Sequence, residues 1–160
     1  MNLPSFSPSN PFFNHESPRR GFEFVTRKIS SHAAKIKLGL AKELRLGNLD
    51  ARRDWGHAKD YVKAMWMMLQ ADSPEDYVVG TGESHSVREF TKTAFAYLGL
   101  GYEEFVVQDE NYYRPAEIYD LVANASKARS KLGWDFKYRF VDLVEEMVES
   151  YLKLFGKNRG

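Results

Sequence analysis

Apolar residues along this 160-residue chain recur at two different periods, and the two periods alternate. Val25, Ile29, Ala33 and Ile36 fall at helical spacing and stop at Gly39, which can adopt a left-handed cap, so a helix is predicted over 24–38. Ala58, Val62, Met65 and Leu69 repeat the pattern. Tyr61, Trp66 and Met68 widen that face and predict a helix buried on more than one side. Ser86 with Glu89 forms a capping box ahead of a face made by Phe90, Ala94, Phe95 and Leu98. A short helix over 126–132 should end at Gly133, and Asp142 with Glu145 reads as a second capping box. It would open a last helix striped by Val144, Met147, Val148, Tyr151, Leu152 and Phe155. Between these lie short β-type runs at 43–46, 77–79 and 105–107, the second followed by the turn Gly80-Thr81-Gly82. Strands alternating with helices predict an α/β fold.

Composition narrows the function classes. The 23 Lys plus Arg against 22 Asp plus Glu leave a formal charge of +1, so phosphate backbones and anionic lipid are attracted by local patches at most, and nucleic acid is not an expected partner. With no cysteine, a disulfide framework, a thiolate metal site and a cysteine nucleophile are all excluded. The longest apolar stretch, near 64–69, falls far short of the roughly 20 residues of a membrane span, and no signal-like segment opens the chain. The expectation is a soluble, unexported, cytoplasmic protein with no membrane partner. Residues 1–13 carry no charge and hold Pro4, Pro8 and Pro11, which reads as a disordered leader or linker. Residues 14–155 then read as one packed unit and 156–160 as a tail.

The chemistry-bearing residues give fewer signals. His15, His32, His57 and His85 include no pair at i, i+4, and no metal site is expected. Gly80-x-Gly82 begins like a dinucleotide fingerprint, but His85 stands where its third glycine belongs and a tight turn is the better reading. No tyrosine has a lysine four residues later. Arg19-Arg20, Arg52-Arg53 and Arg114 sit where turns are expected; guanidinium forks suit phosphate oxygens, although each arginine could equally be a solvated surface charge. Asn14 and Asn48 could read hydroxyls or an amide edge, and turn chemistry explains them as well.

Longer blocks carry a resemblance. Asn14-His15-Glu16-Ser17-Pro18-Arg19-Arg20-Gly21, the run from Leu46 through Arg53-Asp54-Trp55-Gly56-His57 to Val62, the run Thr81 to Phe90, Tyr113-Arg114-Pro115-Ala116-Glu117 and Lys131-Leu132-Gly133-Trp134 together resemble the second half of the GDP-mannose 4,6-dehydratases, from about Phe12 to Leu154. That family consists of extended short-chain dehydrogenase/reductases. The resemblance implies the C-terminal, helix-rich, sugar-nucleotide-binding part of an extended Rossmann-type dehydratase, with the catalytic Tyr and Lys and the Gly-rich NADP fingerprint in an N-terminal half that this chain lacks.

The resemblance also implies site roles. His15 and Arg20 would contact NADP. Asn14, Lys28, Gly47 and Asn48 would contact the sugar nucleotide, Arg53 and Arg114 the diphosphate, and Glu117 the ribose hydroxyls. No catalytic residue is expected here. The implied reaction converts GDP-mannose to GDP-4-keto-6-deoxymannose, a hydro-lyase step of GDP-fucose-type biosynthesis. It would run only when a complementing N-terminal-half chain is supplied, and a homo-oligomer is expected. The alternative is a non-catalytic nucleotide-sugar-binding or oligomerisation module derived from that enzyme. A third reading, half of a GDP-sugar reductase or epimerase, is disfavoured by the 15–21 block.

Overall fold

A computed structural model describes residues 11–113 and 120–157. The elements are β1 (Asn14–Glu16), α1 (Val25–Lys37), β2 (Leu44–Leu46), β3 (Arg52–Arg53), β4 (Trp55–His57), α2 (Ala58–Leu69), β5 (His85–Ser86), α3 (Val87–Tyr97), β6 (Val106–Gln108), α4 (Ser126–Leu132) and α5 (Phe140–Gly156). The strands form three two-stranded sheets: β1 with β4 and β2 with β6 are parallel, and β3 with β5 is antiparallel.

Helices α1, α3 and α5 pack on one another beside β2. Ile29 and Ala33 of α1, Phe90 and Phe95 of α3, and Val144, Met147 and Val148 of α5 fill this core. Each large aliphatic or aromatic side chain so buried contributes about 1.5–3 kcal/mol. Lys37 adds a polar tie by donating from Nζ to the Leu98 carbonyl at 2.8 Å. A second, smaller core sets Tyr61, Ala64 and Met68 of α2 against Tyr77, Val79, Ala128 and Trp134. The Trp134 indole N–H donates to the Asp60 carbonyl at 2.8 Å, so this buried tryptophan is fully satisfied.

Several expectations match residue for residue. The α3 capping box joins Ser86 and Glu89, with Ser86 Oγ accepting the Glu89 N–H at 3.0 Å. Gly133 ends α4 at φ +64°, and Gly39 follows α1 at φ +69°.

Others need correction. The stripe Val62, Met65, Leu69 is not the inner face of α2; Val62 and Leu69 are 61% and 62% exposed, with Trp66 at 61%. The buried side is Tyr61, Ala64 and Met68, which has equally good helical spacing. Asp60 fixes the rotation: its carboxylate accepts the N–H groups of Lys137 and Tyr138 at 3.0 and 3.1 Å and turns this flank inward. Helix α5 begins at Phe140, not at Asp142; the Asp142 carboxylate reaches back to the Arg139 N–H at 3.0 Å. Tyr77 to Val79 makes a single parallel bridge, Val79 to Phe12, in place of a full strand. Phe13 donates to the Val79 carbonyl at 3.0 Å, so the packed structure already includes 11–13. Arg52-Arg53 lies in a strand and not in a turn.

The Gly80-Thr81-Gly82 turn closes around the buried Asp54. One carboxylate oxygen accepts the Thr81 N–H at 3.0 Å and its hydroxyl at 2.7 Å; the other accepts Gly82 and Ala123 N–H groups at 2.9 and 3.1 Å. An internal carboxylate therefore occupies the amides that a dinucleotide phosphate would take.

Candidate functional site

A cleft of about 340 Å³ opens where β1, the start of α1, the end of β2 and β3 converge. Parallel pairing places Asn14 opposite Trp55, and both face the cleft. Strand alternation turns Arg53 into it while Arg52 goes the other way, donating from Nε to Ser84 Oγ at 3.2 Å and lying 3.6 Å from Glu89. Asn48 accepts the Asp50 N–H through Oδ1 at 2.9 Å, an Asx turn that holds the corner at the end of β2. Gly47 is needed there for space: a Cβ would stand 2.4 Å from the Tyr112 carbonyl oxygen.

Lys28, on the second turn of α1, reaches across to Tyr112 with its ammonium 3.8 Å from the ring centroid. Burial pushes the Lys28 amine below the ordinary lysine range, and Asp109 partly opposes the shift. On the cleft floor Glu16 is 1% exposed. Its Oε2 accepts the Thr26 hydroxyl at 2.5 Å, and Oε1 lies 3.3 Å from Arg20 Nε. Burial pushes the Glu16 carboxyl up, against the opposing pull of the Thr26 hydrogen bond, Arg20 and His15.

The structure thus brings Asn14, Lys28, Gly47, Asn48 and Arg53 into one cleft. His15 and Arg20 stand outside its lining. His15 Nδ1 is 3.0 Å from the Phe13 carbonyl, and its ring packs 5.5 Å from Tyr61. Arg20 lies with its guanidinium carbon 3.5 Å from the Phe24 ring centroid and is held from the other side by Glu16. The Ser17–Gly21 turn that carries it is tied to α5 by the Tyr151 hydroxyl, which donates to the Pro18 carbonyl at 2.9 Å. Arg114 and Glu117 fall outside the described residues. Sequence reasoning missed Glu16, Thr26 and Tyr112 as cleft residues. Glu16 was legible as the strand neighbour two positions from Asn14, on the same face; nothing in the spacing marks Tyr112.

The profile of the GDP-mannose 4,6-dehydratase family matches residues 5–147. The chain belongs to that family. It is 52% identical over 154 residues to GDP-mannose 4,6 dehydratase 2 of Arabidopsis thaliana, covering 96% of this chain and 41% of the relative. The human GDP-mannose 4,6 dehydratase is 49% identical over 170 residues, covering 96% of this chain and 46% of the relative. This family member therefore spans less than half the length of these relatives. Among solved structures, RMD from Pseudomonas aeruginosa complexed with NADPH superposes with a TM-score of 0.82 at 22% identity, covering 91% of this chain and 48% of that one. The dTDP-glucose 4,6-dehydratase of Bacillus anthracis in complex with NAD gives 0.72 at 22% identity, covering 89% and 43%. The fold is that of the extended Rossmann-type dehydratases and epimerases, present here in part. Among the described residues no helix is long and apolar enough to cross a membrane.

Proposed function

We propose that this chain is the substrate-binding half of a GDP-mannose 4,6-dehydratase, gripping GDP-mannose while an N-terminal half supplies the catalytic groups. The observation that carries this reading is the single cleft into which Asn14, Lys28, Gly47, Asn48 and Arg53 converge from four separate segments. Arg53 would take the diphosphate oxygens, with Arg114 as a second guanidinium; Glu117 would accept the ribose hydroxyls. Asn14 and Asn48 offer amides to the sugar side of the ligand. The work would belong to cytoplasmic nucleotide-sugar synthesis of the GDP-fucose type.

NADP would meet this half at its margin. Arg20, already oriented by Glu16 and Phe24, suits a phosphate, and a His15 ring held through Nδ1 by a backbone carbonyl keeps Nε2 for a ligand. When bound, NADP would accept hydride from the mannose C4 and return it at C6 after water is lost across C5 and C6. This chain's part is to bind and orient the sugar nucleotide; the Tyr and Lys pair of the chemistry is absent from its sequence.

The exposed α2 stripe of Val62, Trp66 and Leu69 supports a second reading, an oligomerisation or nucleotide-sugar-binding module without catalysis. Calorimetric titration with GDP-mannose, GDP and UDP-glucose separates the two, supported by the shift in unfolding midpoint. A ligand at 100 times its Kd adds about 2.7 kcal/mol of stability. Selective GDP-mannose binding, and dehydratase activity on adding the N-terminal half of a relative, is the expected result. Selective binding with no activity in that mixture supports the module, and cooperative unfolding without any GDP-mannose binding overturns the substrate-binding assignment.

A further inference from the structure

We infer that Tyr112 is a base-recognition residue, its ring forming the wall on which the planar nucleobase of the sugar nucleotide stacks. The inference rests on the substrate-binding reading above and deepens it by assigning one wall of the cleft to the base.

Tyr112 is placed with unusual firmness for a side chain 53% exposed. Asp109 donates its N–H to the Leu46 carbonyl at 2.8 Å, which joins the 109–113 turn to the end of β2. Tyr112 donates its own N–H to the Asp109 carbonyl at 3.0 Å, and the side-chain oxygen of Asp109 accepts the Asn111 N–H at 3.0 Å. The Tyr112 carbonyl then settles onto Gly47, where no Cβ intervenes. Every one of these bonds is made by the backbone or by Asp109. The phenol ring is left to line the cleft.

In the ligand-free cleft the face of that ring is covered by the Lys28 ammonium at 3.8 Å. A partly desolvated cation over an aromatic face is stabilised by the ring quadrupole, and a planar base can take its place on the same face. The displaced ammonium remains within reach of the base edge, where a carbonyl or ring nitrogen accepts its hydrogen bond. At the β3 side Arg53 offers a guanidinium, which suits a diphosphate and not a base. The cleft lining therefore combines two chemistries: an aromatic face with a donor beside it at Tyr112 and Lys28, and a forked cation at Arg53. A nucleoside diphosphate sugar carries the complement of both, a planar base and a diphosphate.

The test compares GDP with inorganic pyrophosphate, which has no base, on the wild type, Tyr112→Leu and Tyr112→Phe, by calorimetry. Base–aromatic stacking predicts a loss of about 10-fold in GDP affinity for Y112L, with Y112F within about twofold of wild type. Pyrophosphate affinity should be the same in all three. Unchanged GDP affinity in Y112L overturns the inference, as does an equal loss for GDP and pyrophosphate, which would mark a ring that merely props the turn. Should Y112L unfold, NMR on protein labelled at its tyrosine rings decides: the ring signal missing from Y112F identifies Tyr112, and an NOE from that signal to the base proton of bound GDP supports stacking, while binding of GDP without it overturns the inference. Failure of the wild type to bind GDP at all would instead remove the substrate-binding reading, and this inference with it.

Discussion

Gly47 lies so close beneath the backbone of Tyr112 that a Cβ added to it would stand 2.4 Å from the Tyr112 carbonyl oxygen and 2.8 Å from the carbonyl carbon. Backbone on both sides leaves neither partner free to yield by a rotamer change. Gly47→Ala should force the 109–113 turn off the end of β2, at a cost of about 1–3 kcal/mol for an overpacked contact. Denaturant unfolding measures that cost. The proposed GDP affinity should fall with it, since the placement of the Tyr112 ring in the cleft depends on the turn.

Asp54 is the polar keystone between the two cores. Its carboxylate accepts four hydrogen bonds, from the Thr81 N–H and hydroxyl and from the Gly82 and Ala123 N–H groups. Asp54→Ala strands buried donors, each costing about 1–3 kcal/mol when left unmet. A total loss of about 3–5 kcal/mol is expected by equilibrium denaturation; Asp54→Asn, which keeps acceptor oxygen on one side only, should fall between.

His57 ties α2 to α5 in its neutral form. Nδ1 accepts the Lys59 N–H at 3.1 Å, while Nε2 stands 3.0 Å from the Glu146 carboxylate and must carry the proton. Burial lowers the His57 pKa; the Glu146 charge opposes this, and Lys59, Asp60 and Tyr138 also surround the ring. The folded state therefore binds this proton less readily than the unfolded chain. The stability is present above the ordinary histidine value near 6.5 and is lost as pH falls through it toward the lowered folded value. His32, also lowered by burial, adds a contribution of the same sign, whereas the raised carboxyl of Glu16 works against both at lower pH. The midpoint drop between pH 7.5 and pH 5.5 should be smaller in His57→Asn than in the wild type.

Val62, Trp66 and Leu69 project from one side of α2 as an apolar stripe that the described residues do not cover. Such a stripe favours association. Sedimentation across micromolar concentrations should show self-association of the wild type and a shift toward monomer in Val62→Glu/Trp66→Glu, with little change in unfolding midpoint because neither side chain is part of a buried core. A clean wild-type monomer would contradict this.

Much of the helical framework was legible because every helix but α2 carries one dominant signal. The Ser86–Glu89 box, the glycines at 39 and 133 and the inward positions of α5 all repeat in the structure. Helix α2 defeated the same method, since it is apolar on two flanks and only the hydrogen bonds of Asp60, made to residues far along the chain, select the inner one. The site divides in the same manner. Asn14, Asn48 and Arg53 sit in blocks whose sequence is distinctive, while Tyr112 reaches the cleft only through the fit of the 109–113 turn on Gly47, a tertiary contact no local pattern encodes. Gly80-Thr81-Gly82 was legible as a turn, but its partner Asp54 was not.

The parallel ladders carry a kinetic consequence. β1 pairs with β4 and β2 with β6, so neither of these ladders can be closed by a hairpin, and each waits for a long intervening stretch of chain to be brought round. Helices α1, α3 and α5 can each form from local contacts before that, while their packing on one another waits for closures at least as long. The cleft, whose walls are the ends of those ladders, is accordingly among the last features to assemble, and recovery of the GDP binding proposed for it should lag recovery of helical signal during refolding.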